Sequence, residues 1–266
     1  MSFFSDISAI QNIVYIFSSI LFISGIKMLG KEDTAVRGNF LSASAMFIAV
    51  AVTIINVVNP VIVLIGVSIG AVIGSLIALR VKMTSIPEMV ALFNGFGGLA
   101  TFFIAWSEFN AIPDNVFQFI VIMLTTYIGG VTFSGSIIAY GKLSEKLKVK
   151  KDSFVTKIFT TFFYASILFL VYSIGFTEII ELPINFYTVL LILTLLGGIG
   201  FVIPIGGGDM PVVISLLNSF SGIAAAFAGL LLLNNVLIVA GSLVGASGLI
   251  LTLSLIHISE PTRHWS

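Results

Sequence analysis

Cysteine is absent from the 266-residue sequence, which excludes disulfides, thiolate zinc sites, iron–sulfur clusters and cysteine nucleophiles. Charge is nearly as scarce: 12 basic and 12 acidic side chains make up 9% of the chain, where a soluble domain carries about a quarter. Histidine occurs twice, at His257 and His264, so the body of the chain has no imidazole for acid–base work or metal ligation. A formal net charge of zero removes the basic footprint that nucleic-acid binding needs. What is there is apolar, with 58% hydrophobic residues and a mean hydropathy of +1.17. Such a chain takes the lipid bilayer as its solvent.

A helix needs roughly 20 mostly apolar residues to cross about 30 Å of hydrocarbon. Nine stretches qualify, near residues 10–29, 38–58, 60–80, 87–106, 115–140, 156–176, 185–205, 210–232 and 235–257. The expectation is an all-α membrane protein, a bundle of about nine transmembrane helices in a lipid bilayer. No basic residue precedes the first apolar run and no small-residue cleavage site follows it, so it reads as a retained helix and not a signal peptide. Lys27, Lys31 and Arg37 follow the first span, Arg80 and Lys82 the third, and Lys142, Lys146, Lys148, Lys150, Lys151 and Lys157 the fifth. The opposite side carries Asp6, Glu108, Asp114, Glu178 and Glu181. The positive-inside rule then predicts an N-terminus outside and a C-terminus in the cytoplasm. The loops are too short to form a separate soluble domain.

From Leu253 to Arg263 the chain reads L-S-L-I-H-I-S-E-P-T-R, which resembles the translation of a transposase sequencing adapter joined to an interrupted reading frame. The expected division is a transmembrane domain over 1–252 and a non-native tail over 253–266, with both histidines in the tail.

An internal duplication runs through the spans. Pro87 to Ala100 (P-E-M-V-A-L-F-N-G-F-G-G-L-A) matches Pro211 to Ala224 (P-V-V-I-S-L-L-N-S-F-S-G-I-A), with proline, leucine, asparagine, phenylalanine, glycine and alanine in register. Gly74 and Gly198 extend the match backwards, and Ser134-Gly135 and Ser247-Gly248 forwards. The matched spans are the fourth and eighth, an even number apart, so the expectation is a parallel repeat with its axis along the membrane normal.

Both repeated spans carry start signals. Ser85 and Glu88 have capping-box spacing with Pro87 in the first turn. Gly206-Gly207-Gly208 precedes Asp209, which can cap exposed amides at the positive end of a helix. Nine residues separate each start from its asparagine, Asn94 or Asn218, which at 1.5 Å per residue is about 13 Å and places each amide near mid-membrane. A carboxamide there has hydrogen-bonding sites that lipid cannot satisfy. It serves either as interhelical glue or as a group that orients water in an ion or proton path, and it does not titrate. Glu88 and Asp209 are the two carboxylates at span starts on the basic side, with capping as the plain alternative to function. Gly66, Gly70 and Gly74 form a double G-x-x-x-G, and Gly241, Gly245 and Gly248 line another helix face; both read as close-packing surfaces. Gly95 to Ala100 spells G-x-G-x-x-A, but it lies inside a membrane span without a preceding strand, so it is no dinucleotide fingerprint.

Four longer stretches carry a resemblance: Ile86 to Phe93, Gly130 to Ser136, Gly207 to Ser219 and Gly241 to Gly248. Together they resemble the β subunit of proton-translocating nicotinamide nucleotide transhydrogenase, over essentially the whole chain before the tail. The resemblance implies the membrane domain of that subunit in a bacterial inner membrane, normally followed by a cytosolic NADP(H)-binding domain that is missing here. It implies an α subunit as partner, holding NAD(H), and a dimer of such heteromers. Hydride would pass between NAD(H) and NADP(H) while a proton crosses the membrane domain. This stretch of chain would bind neither nucleotide and no metal, and would hold no catalytic residue of hydride transfer. The resemblance assigns Asn218 and Ser136 to the proton pathway and Asp209 to coupling with the NADP(H) domain, and it matches Gly241, Gly245 and Gly248 to the last helix. Asn94, the repeat partner of Asn218, is expected in the same pathway, Glu88, the other carboxylate at a span start, in coupling, and the three glycines in helix packing. Family members often carry a histidine where this sequence has Asn94, so the titrating group is expected on the partner chain. A secondary ion or solute transporter and a structural membrane scaffold stand as the other readings.

Overall fold

The computed structural model describes residues 2–55, 57, 59–111, 113, 115–150, 153–175 and 184–263; Asp114, Lys151, Glu178, Glu181 and His264 lie outside them. Among the described residues there are nine α-helices and no strand. They are α1 (Ser2–Leu29), α2 (Ala35–Ile54), α3 (Pro60–Arg80), α4 (Ile86–Asn110), α5 (Val116–Leu143), α6 (Phe154–Gly175), α7 (Ile184–Val202), α8 (Met210–Leu231) and α9 (Asn235–Arg263). Eight of them are long and apolar enough to cross a membrane. This is an all-α, multi-pass membrane protein, as its composition predicts. The seventh span differs from expectation: its apolar helix covers Phe186–Val202 and stops short of residue 205. Pro204 supplies no N–H and its ring disfavours the helical conformation of Ile203. At the other end, α9 runs without a break through Leu253 into the adapter-like stretch.

The chain divides into two compact units, Met1–Lys82 and Met83–Ser266. In the first, α1 and α2 form an antiparallel hairpin with a polar seam. Tyr15 and Thr53 share a hydroxyl hydrogen bond of 2.8 Å, and the Gln11 amide donates to the Tyr15 hydroxyl at 3.0 Å and to the Val52 carbonyl at 3.3 Å. No residue of α3 is buried, and nothing lies within 4 Å of where a Cβ would sit on Gly66, Gly70 or Gly74. A row of small residues permits close packing without compelling it.

In the second unit α5 is the hub, packed on α4, α6, α7 and α8, while α9 packs on α8. Two core clusters mark its ends. One joins Ala91, Ala139, Val202, Met210, Val213, Ile214 and Leu217; the other joins Ala105, Phe109, Phe119, Ile122, Met123, Leu170, Tyr187 and Leu190. The first collects the starts of α4 and α8 with the ends of α5 and α7, so α4 and α8 run in the same direction and α5 and α7 in the other. The hairpin between α8 and α9 is local chemistry. Leu233 takes φ 50°, the Asn234 N–H reaches back to the Gly229 carbonyl at 2.8 Å, and the Asn234 side chain accepts from the Leu237 N–H at 3.0 Å. One residue thus closes one helix and caps the next.

Candidate functional site

The two helices that carry the asparagines begin alike. Three-residue 3₁₀ turns, Met83–Ser85 and Gly207–Asp209, lead into α4 and α8, and Pro87 and Pro211 occupy the first turn of each. Each of these features recurs at a spacing of 124 residues, the same offset that separates Asn94 from Asn218. The expected side-chain caps do not form at either start. Ser85 (φ −100°, ψ 7°) and Asp209 (φ −90°, ψ 0°) make no capping hydrogen bond, because the 3₁₀ turn keeps them out of the extended conformation from which a cap reaches the N2 or N3 amide. Glu88 is half-buried in the first turn of α4, and Asp209 half-buried next to the three exposed glycines.

Deeper in the helices the Asn94 amide donates to the Ser136 hydroxyl at 3.0 Å, bridging α4 to α5. Ser136 is fully buried, and Asn94 half-buried. The contact is possible because Gly95 leaves room: a Cβ there would sit 3.1 Å from the Ser136 Cβ. One turn along α5, Thr132 is equally buried and its hydroxyl has no hydrogen-bond partner. Asn218 is half-buried on α8, and no hydrogen bond joins it to Asn94 or Ser136. One turn beyond each asparagine, α4 and α8 approach at Gly97, whose Cβ would lie 3.1 Å from the Ser221 hydroxyl.

The glycines of α9 face α8. A Cβ on Gly241 would lie 2.7 Å from the Gly222 carbonyl oxygen, one on Gly245 3.0 Å from the Ile223 side chain, and one on Gly248 2.9 Å from the Ser219 Cβ. Hydroxyls cross the same seam: Ser219 donates to the Gly245 carbonyl at 2.6 Å, Ser215 to the Gly248 carbonyl at 3.2 Å, and Thr252 to the Ser215 hydroxyl at 3.0 Å. Sequence reasoning passed over Ser215, Ser219 and Thr252. The four-residue spacing of the two serines on one helix face was the available signal.

In sequence Lys142 marks only topology, yet in the last turn of α5 its ammonium donates to the carbonyls of Val202 (3.2 Å), Ile203 (2.5 Å) and Ile205 (2.7 Å). Near the opposite end of the unit the Tyr187 hydroxyl bonds to Thr126 at 2.7 Å and its ring stacks on Phe109 at 3.7 Å. Among the described residues no three His, Cys, Asp or Glu side chains gather as a metal-holding group.

The architecture defines a class: a helical membrane protein with buried hydroxyls and half-buried amides between closely packed helices. The family model for the NAD(P) transhydrogenase beta subunit matches residues 11–257, and the chain belongs to that family. A curated NAD(P) transhydrogenase subunit beta from Rhodospirillum rubrum is 35% identical over 250 residues, which is 90% of this chain and 53% of the relative. A second, from a named strain of the same species, gives the same figures. The chain therefore spans about half the length of the curated relatives it matches. The family assignment carried by the four motif stretches holds.

Proposed function

We propose that this chain is the membrane domain through which a transhydrogenase moves protons, coupled to hydride transfer between NAD(H) and NADP(H) in the full complex. The observation that carries the reading is the hydrogen bond from half-buried Asn94 to fully buried Ser136, beside the Gly97–Ser221 approach. Gly97 and Ser221 are themselves equivalent under the 124-residue offset, so α4 and α8, running the same way, touch at matching positions. Like residues meet near a two-fold axis, which supports a parallel repeat with that axis along the membrane normal. Asn94 and Asn218 then flank the axis at one depth. Neither amide carries a proton, so the titrating group is supplied by the partner α subunit, with the two amides and Ser136 holding water beside it. Asp209 and Glu88, at the same end as the lysines of the fifth loop, face an NADP(H)-binding domain in the cytoplasm. The complex is a dimer of α–β heteromers in a bacterial inner membrane, with the N-terminus outside and the C-terminus inside.

The test is reconstitution of the full-length β subunit with its α subunit in vesicles, with vesicle acidification and hydride transfer followed together. Asn218→Leu should abolish acidification coupled to hydride transfer. Undiminished acidification by that variant would remove Asn218 from the path. The same two-fold arrangement also favours a secondary transporter, which would move an ion or solute with no nucleotide present.

A further inference from the structure

We infer that Lys142 is a positioning residue for coupling, the tie that links the Asp209 end of the unit to the helix carrying Ser136. The inference rests on the proton-path reading above. Where α7 ends at Val202 the helical ladder stops: the Val202 carbonyl still accepts from the Ile205 N–H at 3.1 Å, while Pro204 has no N–H to offer. The Lys142 ammonium has three donors, and the carbonyls of Val202, Ile203 and Ile205 take all three. A cation there also meets the negative end of α7.

The tie has a definite place in the chain. Lys142 stands six residues after Ser136 on α5, and its last acceptor, Ile205, immediately precedes Gly206. Gly206, Gly207 and Gly208 are exposed, with nothing within 4 Å of their Cβ positions, and Asp209 follows. Beyond it Met210 is fully buried in the cluster that also holds Ala139 and Val202. The glycine–aspartate loop is therefore strung between two fixed points, one held by Lys142 and the other by the core. A load applied at Asp209 passes through Ile205 and Lys142 into α5, where Ser136 meets Asn94. Without the ammonium, the end of α7 keeps its apolar packing but loses its polar tie to α5, and the loop moves without moving Ser136.

The experiment uses the full-length complex in vesicles, with Lys142→Met, Lys142→Gln and Lys142→Arg, and reads protons taken up per hydride transferred. Lys142→Met should keep hydride transfer in leaky vesicles while the ratio falls at least about tenfold, the factor that loss of even one of the three charge-assisted hydrogen bonds would carry. Lys142→Arg should restore most of it. If Lys142→Met does not assemble, the shorter Lys142→Gln should still lower the ratio. An unchanged ratio in the assembled variants, with both rates falling only as the amount of complex falls, overturns the inference and leaves Lys142 a structural cap. Asn218→Leu separates the two levels: if it too acidifies like the parent, the proton-path reading fails along with the inference.

Discussion

A methyl group placed on Gly98 would lie 2.9 Å from the carbonyl oxygen of Gly129, and one placed on Gly129 would lie 2.9 Å from that of Gly98. The same reciprocal fit recurs between Gly222 and Gly241, at 2.9 and 2.7 Å. Helices this close pack backbone on backbone, as small residues allow in membranes. One level further along, Gly95 of α4 meets Ser136 of α5, whereas Ser219 of α8 meets Gly248 of α9. Each crossing has one hydroxyl and one glycine at this level, but the hydroxyl has changed helix. By these contacts Gly248 on α9 occupies the position in its helix pair that Ser136 on α5 occupies in the other, one residue away from the Gly135 match that the letters favour.

Closeness of this kind makes a sharp prediction. Gly222→Ala drives its methyl into the backbone of Gly245, and should cost about 1–3 kcal/mol, the usual range for overpacking a rigid contact. Gly66→Ala on α3, with nothing within 4 Å, should change stability by less than about 0.5 kcal/mol. Thermal unfolding of the detergent-solubilised protein compares the two; equal shifts would contradict the geometry.

Thr132 predicts the opposite sign. Its hydroxyl is fully buried and unpartnered, so the native protein bears the desolvation cost of a polar group that gains no bond. Thr132→Val keeps the shape, removes that hydroxyl, and should stabilise by about 1 kcal/mol. A lower unfolding temperature for the valine variant would show that the hydroxyl has a partner after all.

At the other end of the unit, Tyr187 combines two interactions that substitution can separate. Tyr187→Phe keeps the 3.7 Å stack on Phe109 and loses the bond to Thr126, for about 0.5–1.5 kcal/mol. Tyr187→Leu loses both, adding about 0.5–1.5 kcal/mol for the ring pair. A double-mutant cycle with Thr126→Val should return a coupling close to the first figure, and none if the hydroxyls do not bond.

Most of the helices were legible because apolar length is a constraint imposed by the bilayer, and Pro87 and Pro211 mark two starts unambiguously. Of the candidate site, the repeat singles out Asn94 and Asn218 and the motif singles out Ser136, but the hydrogen bond that pairs Asn94 with Ser136 across two helices is visible only in the fold. The capping box at Ser85 and Glu88 was misleading, since sequence spacing does not reveal that a 3₁₀ turn precedes α4. Pro204 could have shortened the seventh span on inspection. Lys142 could not have been found this way, because its acceptors are backbone carbonyls some 60 residues distant, and carbonyls leave no mark in a sequence. Nor do the glycines of α3 differ in letters from those of α9, although only the latter meet a neighbouring helix.

The two asparagines, alike in sequence, should part company in stability. Asn94 is bonded to a buried hydroxyl, so Asn94→Leu strands Ser136 and should cost about 1 kcal/mol, within the range measured for interhelical bonds in membranes. Asn218 gives up no bond to Asn94 or Ser136, so Asn218→Leu should leave the unfolding temperature unchanged or raise it, since an amide is replaced by an apolar group of similar size. Its effect on vesicle acidification is predicted to be complete all the same. Parallel unfolding and acidification measurements on both variants decide the matter. If Asn218→Leu lowers stability as much as Asn94→Leu does, Asn218 is interhelical glue, and its loss of proton uptake would follow from a damaged fold.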